Sequence, residues 1–167
     1  MKLGGNAWKF RQEDISTDLI RGKAYSHLPP KEQGAHCLEE VDAGFAAKAR
    51  PGDFIVAGKN FGCGSSTAAH VAVIGLGIGA VIAESLGKLF ITNAASAGLW
   101  AVSCPGIIAF VDTGDKLELD IANWRVRNIT TGKSIAANPL PDFLREMIEL
   151  GGEKNYLRAR LAREAPA

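Results

Sequence analysis

The run of residues 60–66 has the composition best suited to chemistry, reading Asn-Phe-Gly-Cys-Gly-Ser-Ser. A short apolar segment typical of a buried strand precedes it, and small apolar residues typical of a helix follow it. Glycine permits sharp turns and a close approach of the backbone to a ligand. The pattern predicts Ser65 and Ser66 at the start of that helix, where unpaired N–H groups and the positive end of the helix dipole favour an anion.

The serine pair has two interpretations from the residues alone. In one, the backbone N–H groups bind a substrate carboxylate and stabilise a serine alkoxide. In the other, the run is only a strand-to-helix turn in which a serine side chain caps the helix. The pattern by itself leaves both interpretations open.

The cysteines and histidines do not form a recognisable metal site. Cys37, Cys63 and Cys104 lie far apart and include no CxxC pair, so they predict neither a disulfide framework nor a zinc or iron–sulfur cage. Any metal that the protein uses is therefore expected on another molecule. His36 and His70 lack a second pair at ligand spacing and are expected to pack or to lie at the surface. Cys63 would be sensitive to oxidation if a helix N-terminus favoured its thiolate, but we interpret it as a small buried residue.

The overall composition indicates an ordinary globular protein. Of the 167 residues, 47% are hydrophobic and 22% are charged, and the formal net charge is +1. This charge predicts no binding to nucleic acid or to an anionic membrane surface. The apolar stretches are too short to span a membrane, and the first residues do not resemble a signal peptide. We expect one cytoplasmic domain over residues 1–167.

Strand and helix patterns alternate through the middle of the chain, which predicts an α/β core with some parallel pairing. Pro29 and Pro30 are expected to stop regular structure. The predicted strands are 7–10, 53–57, 79–83 and 100–102; the predicted helices are 34–49, 68–76, 86–98 and 141–150; residues 116–121 and 124–128 predict a hairpin, and the tail from Lys154 is either helical or frayed.

The glycines at 75, 77 and 79 nearly spell a dinucleotide-binding fingerprint. That fingerprint needs a strand before it and a helix after it. Here the predicted order is the reverse, with a helix before and a strand after. We interpret these glycines as sites where a helix end packs closely on the sheet.

A longer stretch around the glycine-rich run carries a family pattern. Residues 52–66 read Gly-Asp-Phe-Ile-Val-Ala-Gly-Lys-Asn-Phe-Gly-Cys-Gly-Ser-Ser. Residues 7–20, 80–85, Phe90, 93–94 and 98–99 belong to the same pattern. This pattern resembles the small subunits of 3-isopropylmalate dehydratases and the matching domain of aconitases. The resemblance spans about residues 6–105 and, more loosely, the tail. It implies an α/β fold, a swivelling β/β/α domain with a mixed sheet flanked by helices.

The resemblance also implies a function. Members of this family belong to heteromeric hydro-lyases that dehydrate, hydrate or isomerise a small hydroxy-di- or tricarboxylic acid. It assigns the catalytic base to Ser65 and a substrate-carboxylate contact to Ser66, with the backbone N–H groups around Gly64. A partner large subunit is expected to carry a 4Fe–4S cluster that acts as Lewis acid, and none is expected on this chain. A homo-oligomer is compatible with the isolated subunit.

The sequence departs from the family at the position that normally grips a substrate carboxylate. The serine pair is usually followed by Arg-Glu-His-Ala, but residues 67–70 here read Thr-Ala-Ala-His. Thr67 lacks the bidentate, charged contact of arginine, a loss of about 2–5 kcal/mol if nothing replaces it. Arg11 is a candidate replacement, because it matches an aconitase segment whose arginine contacts substrate; a solvated arginine is the alternative. Arg21 is a second nearby cation with a weaker case.

The loop that senses the substrate also differs. It follows Tyr25, and the residues Tyr25, Ser26 and His27 do not match the usual patterns. His27 either faces the substrate or lies at the surface. Thr92 stands where the family often has an arginine. Three hypotheses follow: an isopropylmalate dehydratase-like subunit, a hydratase subunit for another diacid such as a methyl-substituted malate or maleate, and a non-catalytic regulatory or binding subunit.

Overall fold

A mixed sheet lies at the centre of the computed structural model, which describes residues 1–64 and 68–164. The strands of these residues are β1 (Lys2–Phe10), β2 (Phe54–Ala57), β3 (Ala80–Ala83), β4 (Trp100–Ser103), β5 (Lys116–Asp120), β6 (Arg125–Asn128) and β7 (Lys133–Ala136). They form one sheet in the order β4-β3-β2-β1-β5-β6-β7. Strands β1 to β4 pair in parallel, whereas β5, β6 and β7 pair antiparallel.

Helices cover the sheet and connect the parallel strands. They are α1 (Thr17–Ile20), α2 (Pro30–Gly34), α3 (Phe45–Lys48), α4 (His70–Gly75), α5 (Lys88–Ser96), α6 (Ile107–Phe110), α7 (Asp142–Glu149) and α8 (Glu153–Glu164), and residues Lys23–Tyr25 form one turn of 3-10 helix. The architecture confirms the predicted α/β class with a mixed sheet flanked by helices. In the described part of the chain, no helix combines the length and the apolar character needed to cross a membrane.

Alternation along the central strands divides the apolar residues between two cores. On β2, Phe54 and Val56 join one buried cluster, whereas Ile55 and Ala57 join the other. Because successive strand residues point to opposite faces, a strand with every residue buried must be covered on both sides. The four residues of β2 are all buried, and so are those of β3. This explains why the parallel strands appear in the sequence as continuous apolar runs.

The predicted helix over residues 34–49 is wrong. The structure has α2 and α3 instead, separated by turns that include Leu38 with a φ of 57°. This left-handed conformation ends any helix at Leu38, and two contacts offset its strain. The Leu38 N–H donates to the Ile20 carbonyl at 2.9 Å, and the Leu38 side chain is fully buried. Pro30 also begins α2 rather than stopping regular structure, since proline is well tolerated in a first helical turn.

The other predicted elements match, with small differences at their ends. The hairpin of β5 and β6 is confirmed, the tail is helical as α8, and α7 buries Leu144, Met147 and Ile148. Phe143 of the same helix is 53% exposed. Strand β7 was not predicted, because its side chains are mostly exposed and show no apolar alternation.

The glycines of the incomplete dinucleotide fingerprint have a packing role. Helix α4 ends at Gly75 and β3 begins at Ala80, which confirms the reversed order. A Cβ at Gly75 would overlap the carbonyl of Pro30, so this glycine lets α4 approach α2 rather than the sheet. At Gly79, directly before β3, a Cβ would lie 2.9 Å from the carbonyl oxygen of Gly52 before β2, so this glycine lets the starts of two neighbouring strands lie close together rather than a helix end on the sheet.

Candidate functional site

The glycine-rich loop, defined here as residues 58–64, follows the carboxyl end of β2 at the centre of the parallel strands. Residues 11–16 leave the carboxyl end of β1, and residues 84–87 leave that of β3, the two neighbours of β2. Carboxyl ends of parallel strands meet at one edge of the sheet, where open α/β proteins commonly bind ligands. The fold therefore brings these three segments together.

Backbone hydrogen bonds attach one side of the glycine-rich loop to the segment after β1. The Gly62 N–H donates to the Ile15 carbonyl at 2.7 Å, and the Thr17 N–H donates to the Cys63 carbonyl at 2.9 Å. Thr17 is also the first residue of α1. The loop is thus fixed to the start of a helix rather than free in solvent.

The other side of the loop is attached to the segment after β3. The Asn60 N–H donates to Ser85 Oγ at 2.8 Å, and the Gly87 N–H donates to the Phe61 carbonyl at 2.8 Å. The Asn60 side-chain amide donates to Asp14 Oδ1 at 2.7 Å, which links both sides. These contacts hold the backbone that leads into Ser65 from two directions.

Gly62 and Gly64 are required by the geometry of the loop. Gly62 has a φ of 75°, and a Cβ there would lie 2.6 Å from the Cβ of Phe90. Gly64 has a φ of 102°, and a Cβ there would lie 3.0 Å from Thr17 Oγ1. Both positions combine a left-handed backbone with close neighbours, which confirms the predicted sharp turn.

The residues predicted to carry the chemistry follow this fixed backbone. Ser65, Ser66 and Thr67 lie outside the described residues. Gly64, which precedes them, is exposed. Helix α4 begins at His70, preceded by Ala69 without a side-chain cap. The helix therefore begins later than the sequence predicted.

His70 lies at the start of α4 with a buried ring nitrogen. In the part of the chain that the structure describes, its Nδ1 has no hydrogen-bond partner. Burial lowers the pKa of the His70 imidazole, and the positive charge of Arg21 lowers it further. Removing the imidazole from water and placing a cation beside it both disfavour its protonated form. His70 is therefore held neutral at neutral pH.

We predict that His70→Asn makes the free energy of unfolding depend less on pH below about 7. The unfolded chain takes up a proton near the ordinary histidine pKa of about 6.5, whereas the folded chain resists it. Stability of the wild type should therefore fall as the pH falls from about 7 through 6.5 and below. Urea unfolding at several pH values between 8 and 5 should show a shallower fall for His70→Asn than for the wild type. The exposed His27 gives the control, His27→Asn, which should retain the wild-type slope; equal slopes in all three proteins would contradict the assignment.

Arg11 leaves the carboxyl end of β1 on the same edge as the loop. Its side chain is 73% exposed, and its Nη2 lies 3.9 Å from Asp112 Oδ1. Lys9 also donates to Asp112, at 2.9 Å. Arg11 lines an open cavity of about 630 Å³, together with Lys9, Phe10, Gln12, Val41, Asp42, Asp112 and Thr113. Arg11 thus lies at the edge of the sheet that carries the glycine-rich loop, and it has a carboxylate neighbour there.

Tyr25 belongs to a small polar cluster within its own segment. Its ring stacks on His36 with centroids 3.7 Å apart and planes at 5°. His36 Nδ1 lies 2.7 Å from Glu39 Oε2, and a hydrogen bond from Tyr25 to Glu39 raises the pKa of the Tyr25 hydroxyl. Packing is therefore the role that the structure gives His36.

Ser26 and His27 are both exposed. In the described ranges, neither they nor Tyr25 hydrogen-bond to residues 58–64. Among the described residues, hydrogen bonds thus do not connect this loop to the glycine-rich loop.

Arg21 is the residue whose environment the sequence did not reveal. It is only 5% exposed, and its Nη1 donates to Gln33 Oε1 at 3.0 Å. Its buried Nε has no hydrogen-bond partner within residues 1–64 and 68–164. Gln33 in turn donates to the Leu28 carbonyl at 2.7 Å. The local sequence, an arginine followed by Gly-Lys, predicts an exposed side chain, and no sequence pattern indicates that Arg21 is buried.

The cysteines do not fit a metal-cluster ligand set. Burial raises the pKa of the Cys37 thiol to about 12, and burial with the nearby Glu84 carboxylate raises that of Cys104 to about 12. Burial also raises the pKa of Cys63. Metal ligation requires thiolates, which these surroundings disfavour. Residues 1–64 and 68–164 contain no group of three or more histidine, cysteine or acidic side chains able to hold a metal.

The chain is similar to a known protein family and to proteins within it. The family model named aconitase C-terminal domain matches residues 4–106. The 3-isopropylmalate dehydratase small subunit of Thermodesulfovibrio yellowstonii is 40% identical over 166 residues, covering 98% of both chains. The 2,3-dimethylmalate dehydratase small subunit of Eubacterium barkeri is 35% identical over 161 residues, covering 95% of this chain and 98% of that protein. The crystal structure of a 3-isopropylmalate dehydratase from Methanocaldococcus jannaschii superposes with a TM-score of 0.91 at 35% identity, covering 98% of both chains.

Proposed function

Because the chain belongs to the aconitase C-terminal domain family, among the small subunits of 3-isopropylmalate dehydratases, we propose that it completes the active site of a two-subunit hydro-lyase. The observation that carries the proposal is the match to dehydratase small subunits along 98% of both chains. The substrate is a small hydroxy-dicarboxylic acid, as the malate-based names of the relatives indicate. Dehydration of 3-isopropylmalate, and hydration of the alkene at the neighbouring carbon, is the first candidate reaction, a step of leucine biosynthesis.

The partner in this proposal is a large subunit that carries a 4Fe–4S cluster. The designation of the relatives as small subunits supports a larger partner. The cysteines of this chain do not fit a cluster site, which supports placing the cluster on that partner. Bound there, the cluster would supply a Lewis acid for the departing hydroxyl group.

Within this chain, Ser65 is the proposed base. It follows Gly64, the last residue of the glycine-rich loop. A serine hydroxyl is too weak a base in water, so it needs a site that excludes water and supplies fixed donors. In the forward reaction Ser65, as the alkoxide stabilised by these donors, receives the proton from the carbon next to a substrate carboxylate and becomes the hydroxyl; in the reverse reaction the hydroxyl returns that proton. Ser66, Thr67 and the N–H group of Gly64 are the proposed contacts to the carboxylate, with Arg11 as a nearby cation.

The loop of Tyr25, Ser26 and His27 is the proposed contact to the variable part of the substrate. Exposed Ser26 and His27 are accessible to a partner subunit or to substrate at the interface. We propose that residues 1–167 act as one swivelling body, and that closure of this body over the partner assembles the site. The enzyme is proposed to be cytoplasmic, and the isolated subunit can form a homo-oligomer.

A second candidate substrate is 2,3-dimethylmalate or a related methyl-substituted diacid. Two observations favour it: Thr67 replaces the arginine expected from the family resemblance, and a 2,3-dimethylmalate dehydratase small subunit is 35% identical to this chain. Comparing the two diacids on the assembled enzyme distinguishes these candidates. A non-catalytic binding subunit would instead leave both diacids unchanged.

Affinity purification of the subunit from its host under anaerobic conditions tests the proposal. We expect a larger chain to co-purify, with iron and sulfide in the eluate. A mock purification from cells lacking the affinity tag serves as the control. If the chain elutes alone and without iron under conditions that preserve such complexes, the two-subunit hydro-lyase is wrong and the binding-subunit hypothesis is preferred.

A further inference from the structure

The guanidinium group of Arg21 is buried without a counter-charge in the described residues. Arg21 is only 5% exposed, and among the described residues its Nε has no hydrogen-bond partner. Among residues 1–64 and 68–164 no carboxylate forms an ion pair with it; Asp18, three residues earlier, lies 3.4 Å from Lys23 Nζ instead. Arginine stays charged at neutral pH, and a buried unpaired charge is strongly unfavourable. The surroundings of Arg21 therefore favour binding of an anion.

A structural tether alone does not explain this charge. The Arg21 Nη1 donates to Gln33 Oε1 at 3.0 Å, and Gln33 Nε2 donates to the Leu28 carbonyl at 2.7 Å, so Arg21 connects α1 to α2. A neutral donor would make the same single hydrogen bond without burying a charge. The charge must therefore be explained by something other than the bond to Gln33.

The backbone of Arg21 is connected to the glycine-rich loop through Thr17. Its N–H donates to the Thr17 carbonyl at 3.0 Å, and the Thr17 N–H donates to the Cys63 carbonyl at 2.9 Å. The charge of Arg21 also acts on the imidazole of His70 at the start of α4. Residues 60–69 contain no charged side chain, and Lys59, the charged residue of the glycine-rich loop, lies 3.6 Å from Glu13. A carboxylate bound beside this loop would therefore need an unpaired cation from another segment.

Other cations near the loop already have acidic neighbours. Arg11 lies 3.9 Å from Asp112, Lys23 lies 3.4 Å from Asp18, and Lys59 lies 3.6 Å from Glu13. These side chains are also largely exposed, at 73%, 72% and 67%. Solvated and paired charges attract an additional anion weakly compared with a buried unpaired one.

We infer that Arg21 binds a carboxylate group of the substrate beside the glycine-rich loop. The anion site follows from the burial and the missing counter-charge of Arg21; the identity of the anion as the substrate rests on the proposed function. Arg21, the residue that caps the C-terminal end of α1, is thus a substrate-binding residue. It supplies the positive charge that residues 60–69 lack.

The anion site is tested on the full chain alone with malonate, a small dicarboxylate, as the probe. Malonate should raise the midpoint of thermal unfolding of the wild type. In Arg21→Met its affinity should fall at least about 10-fold, as for loss of a charge-assisted hydrogen bond. Gln33→Glu should weaken the binding of malonate in the same way, because it places a carboxylate beside Nη1 of Arg21. Arg127→Met, which removes an exposed arginine of β6, should retain the wild-type shift.

The outcomes for malonate are decisive whether or not the chain is a dehydratase subunit. No shift in the wild type, or equal shifts in the wild type and in Arg21→Met, would overturn the anion site. If Arg21→Met loses stability but keeps the wild-type affinity for malonate, Arg21 is only a tether and the inference is wrong.

The identity of the anion is tested on the assembled enzyme. With 3-isopropylmalate or 2,3-dimethylmalate as substrate, Arg21→Met should raise KM at least about 10-fold, with a much smaller change in kcat, because it removes binding common to the ground state and the transition state. An unchanged KM would show that Arg21 does not bind substrate. If no diacid is turned over by the wild type but malonate still requires Arg21, the proposed function fails and the anion site stands.

Discussion

Ser65→Ala is expected to reduce turnover of the assembled enzyme by about 100- to 10,000-fold, the contribution typical of a general base. The change removes only a hydroxyl group, so the subunit should still fold and bind its partner. Turnover of the diacid and co-purification with the large subunit are measured on the same preparation. KM should change little, because the proton is transferred only in the chemical step.

A matched serine controls for the mutation itself. Ser134 on the exposed strand β7 accepts a hydrogen bond from Arg125 at 2.9 Å, remote in the sheet order from β2. Ser134→Ala should retain full turnover. If Ser65→Ala also retains turnover, the base is another group; if it loses the partner as well as turnover, Ser65 has a role in assembly rather than in proton transfer.

Gly62→Ala is expected to destabilise the subunit by about 2–5 kcal/mol, the sum of a left-handed alanine and overpacking of a buried site. The first contribution comes from the φ of 75° at Gly62, and the second from the side chain of Phe90, whose Cβ would lie 2.6 Å from the new methyl group. Phe90 cannot move freely, because it is buried and packs edge-on against Phe61 with ring centroids 5.4 Å apart. Urea unfolding measures the change.

Gly132 separates the two contributions. It has the same φ of 75°, but no atom of the described residues lies within 4 Å of a Cβ at this position. Gly132→Ala should therefore lose only about 1–2 kcal/mol, the strain of the left-handed backbone. Equal losses for the two variants would show that contact with Phe90 does not constrain the glycine-rich loop.

The central elements could be predicted from sequence because their burial is regular along the chain. Residues of β2 and β3 are all buried, so they appear as unbroken apolar runs, and α5 and α7 carry apolar residues at helical spacing. Regular burial leaves a regular pattern, and such patterns are the strongest local signal. The hairpin of β5 and β6 could also be predicted, because buried residues alternate with more exposed ones along both strands.

The region around α1 to α3 could not be predicted in the same way. The left-handed backbone of Leu38 is stabilised by a hydrogen bond to Ile20 and by burial, which are tertiary contacts without a local sequence signal. Apolar residues at helical spacing across that position therefore indicated one helix where two short ones exist. Burial of Arg21 has the same origin, since it depends on Gln33 of α2 and on the start of α4.

The candidate site was predicted in part. Gly62 and Gly64 were expected to form a sharp turn, and their positive φ values confirm it. The segments that hold the loop, residues 14–17 and 85–87, were not foreseen, because their backbone hydrogen bonds leave no trace in residue type. The roles of Ser65, Ser66 and Thr67 stay predictions that depend on the family resemblance.

Reconstitution from separately purified subunits tests the central claim most directly. The large subunit of the same host, prepared anaerobically, is mixed with increasing amounts of this chain, and formation of the unsaturated acid from 3-isopropylmalate and from 2,3-dimethylmalate is followed by absorbance. We predict no alkene from either subunit alone, and a rate that rises with this chain and saturates when the large subunit is fully bound. A large subunit that turns over at the same rate without this chain, or an associated pair that dehydrates neither diacid, would contradict the account.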